Sequence, residues 1–386
     1  MPVLSLGGMR YQQSWQDLAA DQLSEGSQRK LTATLARAQQ AGLHHVETAR
    51  HYGSSELQLG KAFRALGGSR ERILQTKVPP RADPAVFEAE LERSFSLLGC
   101  QRLDLLSVHG INLAEHLEQT LRAGGCLAVL RRWQEEGRIG HVGFSTHAPT
   151  PLIVAAIESN AFDYLNLHWY FIRQDNDLAL DAARRHDMGV FLISPTDKGG
   201  HLHSPSARLL ELTAPLHPIV FNDLFCLADP RVHTISVGAA CPSDLDLHLE
   251  AVARLEQADT LIQPVLQRLR QAQEERLGRP WLESWQQGLP AWQDTPGQLN
   301  LPVLLWLHNL LEAWDLESFV EARYGLLGNG SHWFPGANAN GLGASVGEDR
   351  LRQALVASPW REEVIAILHR LKDRFGERCS RRLSSD

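Results

Sequence analysis

Four side chains able to move a proton or balance a developing charge fall at the ends of short apolar runs in the first third of the chain. Glu47 ends LHHVE, Tyr52 follows it at once, Lys77 ends ILQTK and His109 ends LDLLSVH. A phenol becomes a useful proton donor when a neighbouring ammonium lowers its pKa, and the ammonium keeps its own proton more readily beside a carboxylate. An imidazole on the same rim orients a polar substrate atom or helps relay the proton. Such a set could give a proton to a polar substrate atom and compensate the charge that develops there. Singly, each residue has a plainer reading, as a packing tyrosine, a snorkelling lysine or a satisfied core histidine. Their order at successive strand ends favours the joint reading.

The elements that must position these groups repeat every thirty residues or so. Strand-like runs cover residues 3–8, 43–48, 72–78, 103–109, 139–145, 162–169, 189–194 and 233–238. Amphipathic helical runs lie between them, including 27–41, the helix starting at Ser54-Ser55-Glu56 and stopped by Gly67-Gly68, 84–98, 125–136, 150–159, 177–187 and 243–258. Near-continuous apolar strands alternating with such helices imply a parallel sheet covered on both faces, and eight of them imply a (β/α)8 TIM barrel with its chemistry at the carboxyl ends of the strands. An open doubly wound sheet is the alternative, but no GxGxxG follows the first strand. From about Thr260 the character changes: residues 261–278 are rich in Gln, Arg and Glu, and seven of the ten tryptophans lie beyond Arg279. The expectation is a barrel domain over residues 1–260 and a smaller, mainly α-helical domain over 261–386. That second domain carries one or two buried helices in LNLPVLLWLHNLLEAWDLESFVEARYGLL, a Gly/Asn loop without a P-loop ending, and a closing helix, WREEVIAILHRLKDRFG.

The stretch ETARHYGSSELQLGKAF resembles the signature of the aldo-keto reductases, and the resemblance continues through the Lys77 and His109 strands, GRIGHVGFSTH and GVFLISPTDKGGHL, over roughly residues 1–250. Within that superfamily the chain is most similar to the bacterial branch that often carries a ferredoxin-like, iron-sulfur-binding tail. The resemblance implies reduction of a small-molecule aldehyde or ketone with NADPH, Tyr52 as proton donor, Lys77 and His109 beside it, and Glu47 where the family has aspartate. It also implies cofactor contacts from Ser145 and Thr146, where Ser-Asn is usual, from Asn166 where glutamine is usual, and from Lys198 and Gly199 in the loop PTDKGG. The extra methylene of Glu47 is expected to weaken its pairing with Lys77 and to leave Tyr52 a weaker acid. A turnover that rises with Glu47→Asp would follow. The family's cluster cysteines are missing from the tail, which looks like a redox module that has kept its helices and lost its metal.

Composition narrows the partners. With 386 residues, 43% of them hydrophobic and 22% charged, the chain is long enough for one large and one smaller domain. A formal charge of -7 argues against nucleic acid, and no run approaches the length needed to span a membrane, so a cytoplasmic protein is expected. The tryptophan-rich C-terminal domain is where a protein partner would attach. Two other functions compete. The many histidines (His44, His45, His51, His109, His147, His168, His201, His203) fit a metal-dependent hydrolase on the same fold, although no HxH ends the first strand. The replaced aspartate and altered amide contacts fit a nicotinamide-binding sensor or assembly protein that no longer turns over. Five dispersed cysteines, Cys100, Cys126, Cys226, Cys241 and Cys379, form no CxxC pair. The purified protein is therefore expected to be colourless in an iron and sulfide assay; a brown protein with stoichiometric iron would contradict this.

Overall fold

The structure, a computed structural model, describes residues 1–67, 72–330 and 332–376. Gly68, Ser331 of the Gly/Asn loop and Cys379 lie outside the described residues. Eight strands, β1 (Leu4–Gly7), β2 (His45–Glu47), β3 (Ile73–Val78), β4 (Leu103–Val108), β5 (Ile139–Ser145), β6 (Tyr164–Leu167), β7 (Gly189–Ile193) and β8 (Thr234–Gly238), pair in parallel and in sequence order, with β8 closing on β1. The helices of the first half are α1 (Glu25–Gln40), α2 (Ser55–Ala65), α3 (Pro84–Leu98), α4 (Ala114–Leu121), α5 (Cys126–Glu135), α6 (Thr150–Glu158) and α7 (Asp177–Arg185). Local chemistry sets their ends. Ser24 caps α1 by accepting from the Ser27 N–H at 3.2 Å, Asp83 caps α3 ahead of Pro84, and Gly99 stops α3 with a left-handed φ of 66°.

The expected (β/α)8 barrel is present, with one correction to how its strands are filled. Outward residues such as Leu6, Val46, Leu74, Leu106, Val142, Leu165, Leu192 and Ile235 join the main core beneath the helices. The inward row is not continuously apolar. A floor of Leu105, Tyr164 and Phe191 gives way toward the carboxyl ends to Gln75, Ser107 and Asn166, and then to Glu47, Lys77 and Ser236. Strand alternation places these polar groups inside while their apolar neighbours face the helices.

Between β7 and β8 the chain adds α8 (Ala207–Thr213) and α9 (Pro218–Ala228). The latter, PIVFNDLFCLA, is apolar over most of its surface and so gives a weak amphipathic signal. The expected single helix over 243–258 is instead α10 (Asp246–Ala253) between two 3-10 turns. By internal contacts the chain divides into two units. Among the described residues, one comprises Met1–Gly199 with Ile219–Asp259; the other comprises Gly200–Pro218 with residues 260–376.

The second unit contains most of α11 (Ala258–Leu277), then α12 (Arg279–Ser284), α13 (Leu301–Trp314), α14 (Glu317–Tyr324), α15 (Glu348–Ala354) and α16 (Arg361–Phe375). Asp315, at φ 56°, breaks the long apolar stretch into α13 and α14. Buried indole N–H groups need partners, and here Trp281 donates to Asn309 at 2.7 Å and Trp314 to the Leu269 carbonyl at 3.0 Å. The 200–218 segment is tied into this unit by Ser206 to the Trp314 carbonyl (3.2 Å), Arg208 to the Ala313 carbonyl (2.9 Å) and Arg268 to the Leu212 carbonyl (3.0 Å). In the Gly/Asn loop, Asn338 donates to the carbonyls of Tyr324 and Leu327 and Asn340 accepts from the Tyr324 hydroxyl at 2.6 Å, so these asparagines hold the unit's own backbone and side chains. Among the described residues no helix is long and apolar enough to cross a membrane.

Candidate active site

The register of β1, β2 and β3 brings Glu47 and Lys77 together at the barrel mouth, both almost wholly buried. Lys77 donates to Glu47 Oε1 and, at 3.0 Å, to the Thr48 carbonyl. The other carboxylate oxygen of Glu47 accepts from the Ser236 hydroxyl on β8 at 2.5 Å. The expectation of a weakened pair is therefore corrected. The longer side chain reaches Lys77 directly, and Ser236 holds the oxygen that the lysine does not use. Burial pushes the Lys77 ammonium below its usual 10.5, while the charge of Glu47 opposes that fall.

Tyr52 stands beside this pair, with Lys77 Nζ 5.1 Å from its ring centroid. Its ring meets His109 edge to face at 5.7 Å and Trp15 at 6.3 Å. Neither the Tyr52 hydroxyl nor the His109 ring has a hydrogen-bond partner among the described residues. Burial, then the negative charge of Glu47, raises the Tyr52 phenol well above 10.0. The phenol is therefore protonated at physiological pH, and removal from water is the chief cause. Burial, then the positive charge of Lys77, lowers His109 to about 3, so its imidazole is neutral at physiological pH.

The loop after β1 is fastened over the signature turn. Gly53 adopts φ 51°, and a Cβ there would lie 2.1 Å from the Ser14 carbonyl, so only glycine lets the loop approach. Ser54 accepts from the Gln13 and Ser14 N–H groups, and Gln58 accepts from Gln13 N at 2.9 Å. Below the turn, Arg50 donates to the buried Glu56 at 2.7 Å and also to Asp17, and Thr76 donates to the other Glu56 oxygen at 2.7 Å. The signature glutamate thus secures the turn that carries Tyr52.

The side chains expected at the cofactor differ in how far they are already used. Ser145 Oγ accepts from Gly110 N at 3.0 Å. The Thr146 hydroxyl donates to the Ile111 carbonyl at 2.7 Å and accepts from Ala148 N, so its one proton is spent on the loop after β4. Asn166 is held by a chain of interior groups. His45 Nε2 lies 3.0 Å from Gln75 Oε1, an acceptor, so the imidazole supplies the N–H; burial lowers His45 to about 4 and keeps it neutral. Gln75 then turns its NH2 to Asn166 Oδ1 at 3.0 Å, and Ser107 Oγ lies 3.0 Å from that same oxygen. Asn166 Nδ2 is left buried without a partner, aimed to give a hydrogen bond.

Lys198 Nζ is 3.2 Å from His168 Nε2, whose Nδ1 is 2.6 Å from the Tyr170 hydroxyl. Tyr170 donates to the Ile193 carbonyl, so His168 Nδ1 carries the hydrogen and Nε2 accepts. A Cβ on Gly199 would lie 1.9 Å from the Pro195 carbonyl, which makes glycine obligatory in that loop. His45, His147 and His168 are engaged in such hydrogen bonds, and among the described residues no three His, Cys, Asp or Glu gather as metal ligands. Ser236, Gln75 and Trp15 received no role from the sequence, and His45 and His168 were weighed only as metal ligands. The usable signal for Ser236 was the alternation in TISVG, which puts both hydroxyl residues on the inner face.

Residues 3–205, more than half of the chain, match the model of the Aldo/keto reductase family. The chain belongs to that family. An aldo-keto reductase of Mycobacterium sp. (strain JLS) is 35% identical over 137 residues, 34% of this chain and 44% of the relative, so the chain spans less than half the length of that curated relative. Among solved structures, an aldo-keto reductase of Bacillus halodurans in its holo form superposes with a TM-score of 0.56 at 18% identity, covering 69% of this chain and 91% of that one. A Pseudomonas aeruginosa protein assigned to the aldo-keto reductases gives 0.51 at 22% identity over 66% of this chain and 90% of that one. These likenesses carry the fold.

The buried pair gives a test that needs no substrate. Glu47→Leu leaves the Lys77 ammonium buried without a carboxylate and is expected to cost on the order of 3–5 kcal/mol in urea unfolding of the barrel, with most of the loss recovered in Glu47→Leu/Lys77→Met. An unchanged midpoint in the single variant would show that the pair is not buried as described.

Proposed function

We propose that the chain is an NAD(P)H-dependent oxidoreductase that reduces a small aldehyde or ketone, with Tyr52 as proton donor and NADPH as the reductant that its family favours. The observation that carries this reading is the Tyr52 hydroxyl and His109 ring side by side, both unpartnered, next to the buried Lys77–Glu47 pair. The bound nicotinamide would supply a hydride to the carbonyl carbon. Tyr52, protonated at neutral pH, gives its proton to the oxygen, and neutral His109 orients that oxygen by a hydrogen bond. Lys77 compensates charge as the phenol loses its proton, and Glu47, held by Ser236, keeps the ammonium in place.

The residues present fit a nicotinamide nucleotide. Asn166 Nδ2 is an orphaned donor at a depth where a carboxamide oxygen would satisfy it, and Ser145 stands beside it in register on β5. Lys198 and the close turn at Gly199 suit the phosphates. The C-terminal unit is read as the counterpart of a ferredoxin-like tail without its ligands.

A second reading, a nicotinamide-binding protein with little or no turnover, is favoured by the raised pKa of Tyr52, which makes it a poorer proton donor. Oxidation of NADPH over a panel of aldehydes, ketones and quinones decides between them: binding of the nucleotide without carbonyl-dependent oxidation selects the second. For an active enzyme, Tyr52→Phe is expected to lower kcat by at least ~100-fold with cofactor affinity kept. Because Ser236 and Lys77 are both fitted to the glutamate, Glu47→Asp is expected to slow turnover by ~10-fold or more. Equal rates in wild type and Tyr52→Phe would remove the tyrosine from the chemistry.

The interior chain that ends in Asn166 gives an independent check. The 3-acetylpyridine analogue of the nucleotide keeps the carbonyl oxygen and lacks the NH2 group. It is expected to bind within about threefold of the parent by calorimetry, because Asn166 offers a donor. Binding of the parent with a tenfold or greater loss for the analogue would show that Asn166 accepts instead.

A further inference from the structure

The C-terminal unit contains a cleft of about 430 Å³, within the usual range for small-ligand sites. It lies where the end of α11, α12, α13 and α16 meet, and nothing in the proposed reductase chemistry uses it. We infer that this cleft is a binding site for a small planar aromatic carboxylate, seated by ring contacts with Trp281 and Trp360 and by a charged hydrogen bond from Arg276.

The aromatic part follows from the walls. Trp281 and Trp360 meet at 5.4 Å, edge to face, and Trp281 meets His308 at 6.2 Å in the same manner. Both indole N–H groups are already spent, on Asn309 and on Ser284, so what the indoles present to a ligand is carbon surface and π density. His308 is nine-tenths buried and makes no hydrogen bond among the described residues.

The charge of the ligand follows from what the cleft has left over. Arg370 is taken by Glu363 at 2.7 Å, whereas Arg276 has no ion-pair partner among the described residues. Glu312, half-exposed, lies 4.0 Å from His308 and faces a neutral ring. Burial, then the positive charge of Arg370 outweighing Glu363, lowers His308 to about 4. The lining thus carries two guanidiniums and two carboxylates; with Arg370 held by Glu363, Arg276 is the cation left to meet an anion, with a guanidinium shaped for a carboxylate.

Calorimetry on the full chain with indole-3-acetate, indole and tryptamine at neutral pH tests this. Indole-3-acetate is expected to bind saturably at one site, at least tenfold tighter than indole, with tryptamine weaker than either. Arg276→Ala, at the end of a helix, is expected to weaken indole-3-acetate at least fivefold and leave indole unchanged, while Trp360→Leu weakens both. Absence of saturable binding, a preference for tryptamine, or indole-3-acetate binding that ignores Arg276→Ala would each overturn the proposal.

Discussion

A lysine ammonium almost wholly removed from water is tolerated only because a carboxylate and a main-chain carbonyl accept from it, while a serine hydroxyl holds the carboxylate's other oxygen. Lys77, Glu47, the Thr48 carbonyl and Ser236 belong to β3, β2 and β8 and the turn after β2, so the pair binds strands across the opening of the barrel. A buried pair of this kind adds little net stability over a well-packed apolar substitute, but it strongly penalises any arrangement that separates its members. It therefore fixes the register of the mouth, and Tyr52 and His109 take their positions from that register. The Arg50–Glu56 pair acts similarly one layer out, tying the turn that holds Tyr52 to α2 and β3.

Much of the barrel was legible in the sequence. Strands buried on one face by helices keep an apolar row, and amphipathic helices of ordinary length announce themselves by their period, so eight strands and most first-half helices could be placed from pattern alone. The signature turn was legible as well, since Gly53 and Glu56 each have one structural job that few residue types can do. What pattern could not show was the inner face. Gln75, Ser107 and Asn166 come from three strands, and their relation is a matter of pairing register rather than of neighbourhood in the chain.

The departure at Glu47 was visible but misjudged. Counting a methylene against a fixed partner assumes a rigid surrounding, whereas Ser236, 189 residues away, supplies the compensation. Helix α9 escaped for the opposite reason, because a segment apolar on most faces carries little periodic signal. The tryptophan-rich tail could be separated by composition, but the membership of residues 200–218 in that unit could not, since it depends on hydrogen bonds such as Arg268 to the Leu212 carbonyl.

That membership has a bearing on how the protein is made. The second unit draws on a segment that leaves the ribosome before β8 and on helices that leave it after β8, so its two parts are separated by the forty-one residues Ile219–Asp259 of the first unit. During synthesis residues 200–218 must wait, without their eventual neighbours, until α11 and α13 have emerged, and the loop closed by their meeting raises the contact order of the whole chain. Neither unit is a single uninterrupted piece of chain. Exchange of the tail between relatives by one cut would strand part of it, so inheritance of this C-terminal unit requires both of its segments to travel together.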